Sequence, residues 1–407
     1  MDLPVYLLPN GIRVIHVPVN GKVSHCGIFF NAGSRDESDN EHGIAHFIEH
    51  VIFKGTEKRD LFQVLNRLEN VGADLNAFTT KEETCIYASF LNEFYDRTLE
   101  LFSDICFHST FPEKELEKEK VVVIDEIKSY QDTPSEQIFD DFEDQIFSGH
   151  SLGRNILGTP KTVKKIKAID IRKFILKNYT PDQVVICSVG NIEPKKFNHL
   201  VSKYFSSINT GQRIEERKPF LNYQPVSFTR KRKIFQSHCI LGTTAYSFND
   251  EKRYVLAFLN NILGGPMMNS RLSLSLRERN GLTYQVESNY TAYSDTGIFS
   301  IYFGTDKKML EKALKLVEKE CNKLRSEKLG TLQLNIAKKQ LIGQLALAQE
   351  SKLSQMLAIG KNFLLQDHYI SIDEIILKID TITAEQLIET ANEILAPEKI
   401  SRLIFQS

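Results

Sequence analysis

No two of the six cysteines in this 407-residue chain form a CxxC pair. Cys26, Cys85, Cys106, Cys187, Cys239 and Cys321 stand mostly beside apolar or β-branched neighbours. They read as buried free thiols rather than a disulfide framework. No uninterrupted apolar run approaches the ~20 residues that span a bilayer, so no membrane insertion is expected. The opening MDLPVYLLPNG lacks the basic start, apolar centre and small-residue cleavage site of a secretory signal. These absences together point to a cytoplasmic protein in a reducing compartment. Net charge is equally scarce: 51 Lys+Arg against 52 Asp+Glu leave -1. Nothing in that total calls for nucleic acid or an anionic membrane as partner. The stretch LGGPMMNSRL is a turn into a helix and not a GxGxxG fingerprint, which argues against nucleotide binding. What is present, 42 % apolar and 25 % charged residues, suits a globular protein. The length exceeds one ordinary core and predicts two to three domains.

Residues 5–30 read as strands separated by PNG and NGK turns. A polar approach, RDESDNEHG, leads into an amphipathic helix over about 40–53. Ile44, Phe47, Ile48, Val51 and Ile52 follow its period, and Gly55 ends it. A helix over 60–71 comes next, then the hairpin DLNAFTT and ETCIYASF, then the helix DRTLELFSDICFHS. From Pro112 to about Ser129 the pattern is helical again, with Glu113 and Glu115 at its positive end. A basic amphipathic helix is expected over 162–177 and a buried strand at VVICSVG. Residues 307–326 and 331–364 are strongly helical, with charged faces that read as solvated.

The opening grammar then repeats. HCGIFFNAGSRDE starts at His25 and HCILGTTAYSFND at His238, 213 residues later, and each precedes an amphipathic helix. The expected fold is therefore α+β, with two duplicated domains, each an antiparallel sheet packed with helices. We place the N-terminal domain at 1–212 and a linker at 213–228, drawn largely from the polar stretch 209–225. The C-terminal domain covers 229–407. The same offset takes His46 to Leu259 and His50 to Leu263, so the second copy would lack the residues that make the first one chemical.

Those residues are in HFIEH. On a helix His46 and His50 lie about 40° apart on adjacent turns, and both imidazoles can face one ion. Glu49 lies about 60° from His46 on the other side, placed to address water on a metal without binding the metal. Two imidazoles and a carboxylate suit Zn²⁺, and the order H-x-x-E-H is a zinc-hydrolase signature. A satisfied histidine pair on a helix surface is the alternative at this point. The third ligand has to come from elsewhere. Glu126, 76 residues beyond His50, can supply it from the helix after Pro112. Glu119, seven residues earlier on the same face, would accept from a ligand imidazole and keep its metal-facing nitrogen unprotonated.

His46 to Thr56, HFIEHVIFKGT, closely resembles the M16 peptidases, the inverzincins that include pitrilysin, insulin-degrading enzyme and the mitochondrial processing peptidase. That resemblance implies zinc held by His46, His50 and Glu126, Glu49 as general base, and Glu119 as a supporting carboxylate. LNAFTTKEET resembles the segment beside the family's active site, matching Asn76, Ala77 and Glu82; GHSLGRNILGT also looks like a family loop. Asn76, Ala77 and Phe78 are expected to line the substrate, and Glu82 to support the site from behind. In SLSLRERNGLTYQVES, Arg277 and Tyr284 match the Arg/Tyr pair that members use across the cleft from zinc.

The resemblance thus implies a zinc endopeptidase that hydrolyses unfolded peptides or precursor segments. Because both zinc motif and Arg/Tyr pair are present, a homodimer with composite active sites around a cavity is expected, a same-chain site being the alternative. A noncatalytic peptide-binding or assembly subunit of the same fold is the competing reading; relatives of that kind often lose their metal residues, and none is missing here.

Overall fold

A computed structural model describes residues 4–208 and 211–407. Met1–Leu3 of the opening segment, and Asn209 and Thr210 at the head of the expected linker stretch, lie outside the described residues. The chain forms two compact units, neither of them continuous in sequence.

The first unit takes the described residues up to Lys128, those of Arg154–Arg217, and Leu347–Ile370. Its sheet comprises β1 (Val5–Leu7), β2 (Arg13–Pro18), β3 (Val23–Phe30), β4 (Asp74–Thr79), β5 (Thr84–Leu91) and β6 (Val184–Gly190). Their order is β1-β2-β6-β3-β5-β4, antiparallel throughout except for the β2–β6 pair. One face is covered by helices that include α1 (Ile44–Val51) and α2 (Glu113–Gln131). β6 is buried at every residue, as a continuous apolar strand between two covered faces must be.

The second unit takes Ser129–Gly153, Lys218–Ala346 and Ser371–Ser407. Its strands are β7 (Ser227–Lys231), β8 (Ser237–Ala245), β9 (Val286–Ala292), β10 (Gly297–Thr305) and β11 (Ser401–Gln406). They run in the order β7-β11-β8-β10-β9, with β7–β11 the parallel pair. This repeats the path β2-β6-β3-β5-β4 strand for strand. At the positions equivalent to the two histidines, Leu259 and Leu263 are fully buried in the second core. Both units are thus sheet-and-helix layers of one duplicated α+β design, each with a single parallel pair.

A local exchange completes each sheet. α3 (Pro134–Ile146), from the first half of the chain, buries Ile138, Phe142 and Ile146 against Ile240, Tyr302 and Leu403 of the second sheet. α4 (Lys352–Gln366), from the second half, buries Met356, Ile359 and Phe363 against Phe29, Cys85 and Cys187 of the first. Each such side chain contributes about 1.5–3 kcal/mol when fully withdrawn from water.

Three helices differ from the sequence expectation, for local reasons. The helix expected from residue 40 begins at Ile44, because Asp39–Glu41 form a separate 3₁₀ turn and Gly43 is left-handed at φ 92°. The run 331–364 divides into Thr331–Gln349 and α4, where the Ser351 hydroxyl accepts from the Ser354 N–H at 3.2 Å and caps a new start. Residues 162–177 divide likewise, since the Asp170 carboxylate accepts the Lys167 N–H and starts Ala168–Asn178 afresh. All six cysteines are free, five of them buried. Among the described residues no helix is long and apolar enough to cross a membrane.

Candidate metal centre

α1 is fixed before any ligand is considered. Ile44, Ala45, Phe47, Ile48 and Val51 are wholly buried, which sets the rotation of the helix and turns His46 and His50 to the remaining face. Its first turn is capped from outside: the Glu37 carboxylate accepts the N–H groups of Gly43 and Ala45, both at 2.9 Å. Gly43 is needed for a second reason, since a Cβ there would meet the Leu157 carbonyl and the Gly158 Cα at 2.8 Å. The loop carrying those residues also receives His42 at the Asn155 carbonyl, 2.8 Å, and sends Arg154 to the Glu37 carbonyl, 3.0 Å. GHSLGRNILGT therefore braces the start of α1.

Glu126 meets the two histidines from α2. Its Oε2 lies 3.8 Å from His46 Nε2 and 3.4 Å from His50 Nε2. One ligand atom from each of the three residues falls within 4.8 Å of the others. Ligands at 2.0–2.2 Å from a tetrahedral zinc stand roughly 3.3–3.5 Å apart, so the set fits that ion with small adjustments. The imidazole planes are inclined at 65° with centroids 4.6 Å apart, as two rings converging on one point from adjacent turns should be.

Electrostatics act on the two imidazoles in opposite directions. Burial, then the neighbouring His50, lowers His46 to about 3, so its ring is neutral and able to ligate. Burial alone would lower His50 as well, but its hydrogen bond to Glu119 and the surrounding carboxylates raise it. Glu119 Oε1 is 3.0 Å from His50 Nδ1, and Lys54 Nζ holds the other oxygen at 2.8 Å. Against the effect of burial, those two partners hold Glu119 below the usual carboxylate range. Burial raises Glu49, the direction a proton acceptor near neutral pH requires. Thr79 at the end of β4 lies close enough to oppose that rise, although its hydroxyl makes no hydrogen bond of ordinary geometry.

α1 lies against β4, which closes the sheet order on one side. Asn76, Ala77 and Phe78 pair with Tyr87, Ile86 and Cys85 of β5. Among the described residues their other edge carries no strand. Glu82 is buried within the β4–β5 turn, 2.6 Å from Arg35, with Arg217 at 3.5 Å. Arg35 N–H donates to the Lys81 carbonyl at 2.8 Å, so Glu82 belongs to the bracing of this turn. Arg277 and Tyr284 belong to the second unit. Arg277 lies in the last turn of a six-residue π-helical segment, Ser273–Glu278, and pairs with Glu278 at 2.9 Å. Tyr284 is 90 % exposed, although its neighbours are anchored: Thr283 Oγ1 donates to the Gln285 carbonyl at 2.6 Å, and Thr305 Oγ1 to the Leu282 carbonyl at 2.6 Å.

Sequence reasoning overlooked Glu37 and Lys54. Lys54 lies inside the quoted HFIEHVIFKGT, four residues beyond His50 and just past the end of α1. Glu37 gave no signal, because a carboxylate capping from a loop has no fixed spacing.

The sequence profile of insulinase, peptidase family M16, matches residues 13–160, and that of the peptidase M16 inactive domain matches residues 165–341. The chain belongs to peptidase family M16. With its complete ligand set, this M16 protein is a zinc metallopeptidase. It is 36 % identical to the uncharacterized zinc protease YmxG of Bacillus subtilis, over 99 % of this chain and 98 % of that protein. An uncharacterized zinc protease of Rickettsia felis is 34 % identical, over 98 % of this chain and 96 % of its own. The fold is shared with a crystal structure titled peptidase M16 inactive domain from Pseudomonas fluorescens, TM-score 0.92 at 20 % identity, covering 100 % of both chains. A protease from Helicobacter pylori superposes with TM-score 0.89 at 20 % identity, covering 100 % of this chain and 99 % of that one.

Proposed function

We propose that this M16 metallopeptidase is an endopeptidase that hydrolyses unfolded peptides or precursor segments inside the cavity of a cytoplasmic homodimer. One observation carries the reading: three zinc ligands and a carboxylate on α1 stand beside an open strand edge. An extended peptide adds to β4 along Asn76, Ala77 and Phe78 by backbone hydrogen bonds, which give affinity without sequence choice. Zinc held by His46, His50 and Glu126 supplies Lewis acidity toward water and a peptide carbonyl. Glu49 takes the proton from the attacking water and returns it to the leaving amine. Glu119 holds His50 in the tautomer that leaves Nε2 free. Arg277 clamps a peptide carbonyl, and the Tyr284 hydroxyl donates to the developing oxyanion. The exposure of Tyr284 on an anchored loop supports a role at a surface that another copy covers.

The test is cleavage of a quenched unstructured peptide and of a stable folded protein by the zinc-loaded protein, with and without chelator. Chelator-sensitive cleavage of the peptide alone is expected. Rapid degradation of the folded protein would refute enclosure.

A further inference from the structure

The second unit contains a cavity of about 290 Å³ between its sheet and the helix Leu310–Ser326. Leu241, Phe299, Ile301, Val317 and Leu395 supply apolar walls. Cys321 adds a neutral one, since burial pushes its thiol up to about 12. Glu318 and Asn322 line the outer end and are exposed, so the cavity opens to water there.

One charged group breaks the pattern. Arg402 on β11 lies directly opposite Leu241 on β8, and Leu241 opposite Ile301 on β10. Directly opposed residues share a face, so Arg402 occupies a row whose other members, Leu241, Ile301 and Ile404, pack in the apolar core. Its side chain is half-buried and lines the cavity. Among the described residues the guanidinium has no ion pair or hydrogen bond. A cation on an apolar face is normally paired. Here the space beside it is open instead, with a volume equal to roughly ten waters.

We propose that this cavity binds a small monocarboxylate with an apolar body, the carboxylate on Arg402 and the body against Leu241, Phe299 and Val317. A guanidinium offers a carboxylate two parallel hydrogen bonds, and the apolar walls take the body, Glu318 and Asn322 being confined to the exposed end. An acyl chain and the free C-terminus of a short apolar peptide share this chemistry.

The test titrates the zinc-loaded protein with octanoate and with N-acetylleucine, using octanol and octylamine as controls, by calorimetry and by the ¹³C shift of the carboxyl. Saturable binding of a carboxylate is expected, at least tenfold weaker in Arg402→Met and in Val317→Phe, and partly kept in Arg402→Lys. These substitutions leave α1 and α2 untouched, so they separate this cavity from carboxylate binding at zinc. Preference for octanoate or for N-acetylleucine names the source, and either supports the site. Octanol binding as tightly as octanoate, undiminished binding in both Arg402→Met and Val317→Phe, or no saturable binding to the native protein overturns the proposal. If Arg402→Met does not fold, the comparison of Arg402→Lys with Val317→Phe decides.

Discussion

His50 Nδ1 stands 3.0 Å from Glu119 Oε1, on the side of the ring away from the Nε2 that faces Glu126. The imidazole is thus gripped by one helix at both nitrogens, and only one of the two contacts is available to a metal. Glu119 is itself held by Lys54 at 2.8 Å, so the ring orientation is set before zinc arrives.

Glu119→Gln should therefore weaken zinc binding by about 10- to 100-fold with little change in folding. Competition against a calibrated chelator, alongside circular dichroism, measures it. Unchanged zinc affinity would remove Glu119 from the site.

Glu49 lies on α1 between the two histidines but outside the ligand set. Glu49→Gln should keep one zinc per chain and lower turnover by at least roughly a hundredfold. Metal analysis and peptide cleavage on the same sample check both halves. Equal activity in highly purified variant would refute the base assignment.

A composite dimer makes a stricter prediction. Tyr284→Phe alone should slow cleavage by roughly 10²-fold with zinc retained, the cost of losing an oxyanion donor. Mixing it with Glu49→Gln should restore activity, because one site of the mixed dimer then has both native residues. No gain on mixing, once subunit exchange is demonstrated, would place each site within one chain.

Asp36 tests the bracing of the approach to α1. Its carboxylate, about 1 % exposed, receives Arg213 and Arg217 and the Gly33 N–H. Burial by itself would raise it, but Arg217 and Arg213 hold it below the usual range. The folded pKa is the lower one. Its contribution is therefore complete above the unfolded value of about 3.9 and disappears as pH falls through the folded value. Asp36→Asn should cost about 3 kcal/mol near neutral pH by removing the buried carboxylate that Arg213 and Arg217 share. In urea denaturation series the gap from the native protein should close progressively below about pH 4.

Gly360 tests the exchanged helix. A Cβ there would run into the Phe29 ring, where α4 packs on the first sheet. Gly360→Ala should destabilise the first unit by about 1–3 kcal/mol, read as a lower unfolding midpoint. A stabilised variant, as helix propensity alone would give, would show that α4 does not rest on Phe29.

The ligand geometry was legible in the sequence because it is local. A four-residue spacing places His46 and His50 on one helical face, and a seven-residue spacing does the same for Glu119 and Glu126. The duplicated strand path was visible in the recurrence at His25 and His238. Helix ends were less so: Gly43, Ser351 and Asp170 each settle a boundary through a single backbone contact, which periodicity does not register.

What the sequence determined by itself was the chemistry: which side chains are present, at what helical spacing, and that the second copy carries leucines where the first carries histidines. Tertiary structure alone decided that α2 approaches α1 closely enough for Glu126 to complete the set, and that Glu37 caps the zinc helix. It also decided that α3 and α4 each cover the sheet built mainly from the other half of the chain. Those outcomes depend on which sheet faces remain open to water, a property of the assembled layers that no stretch of residues contains.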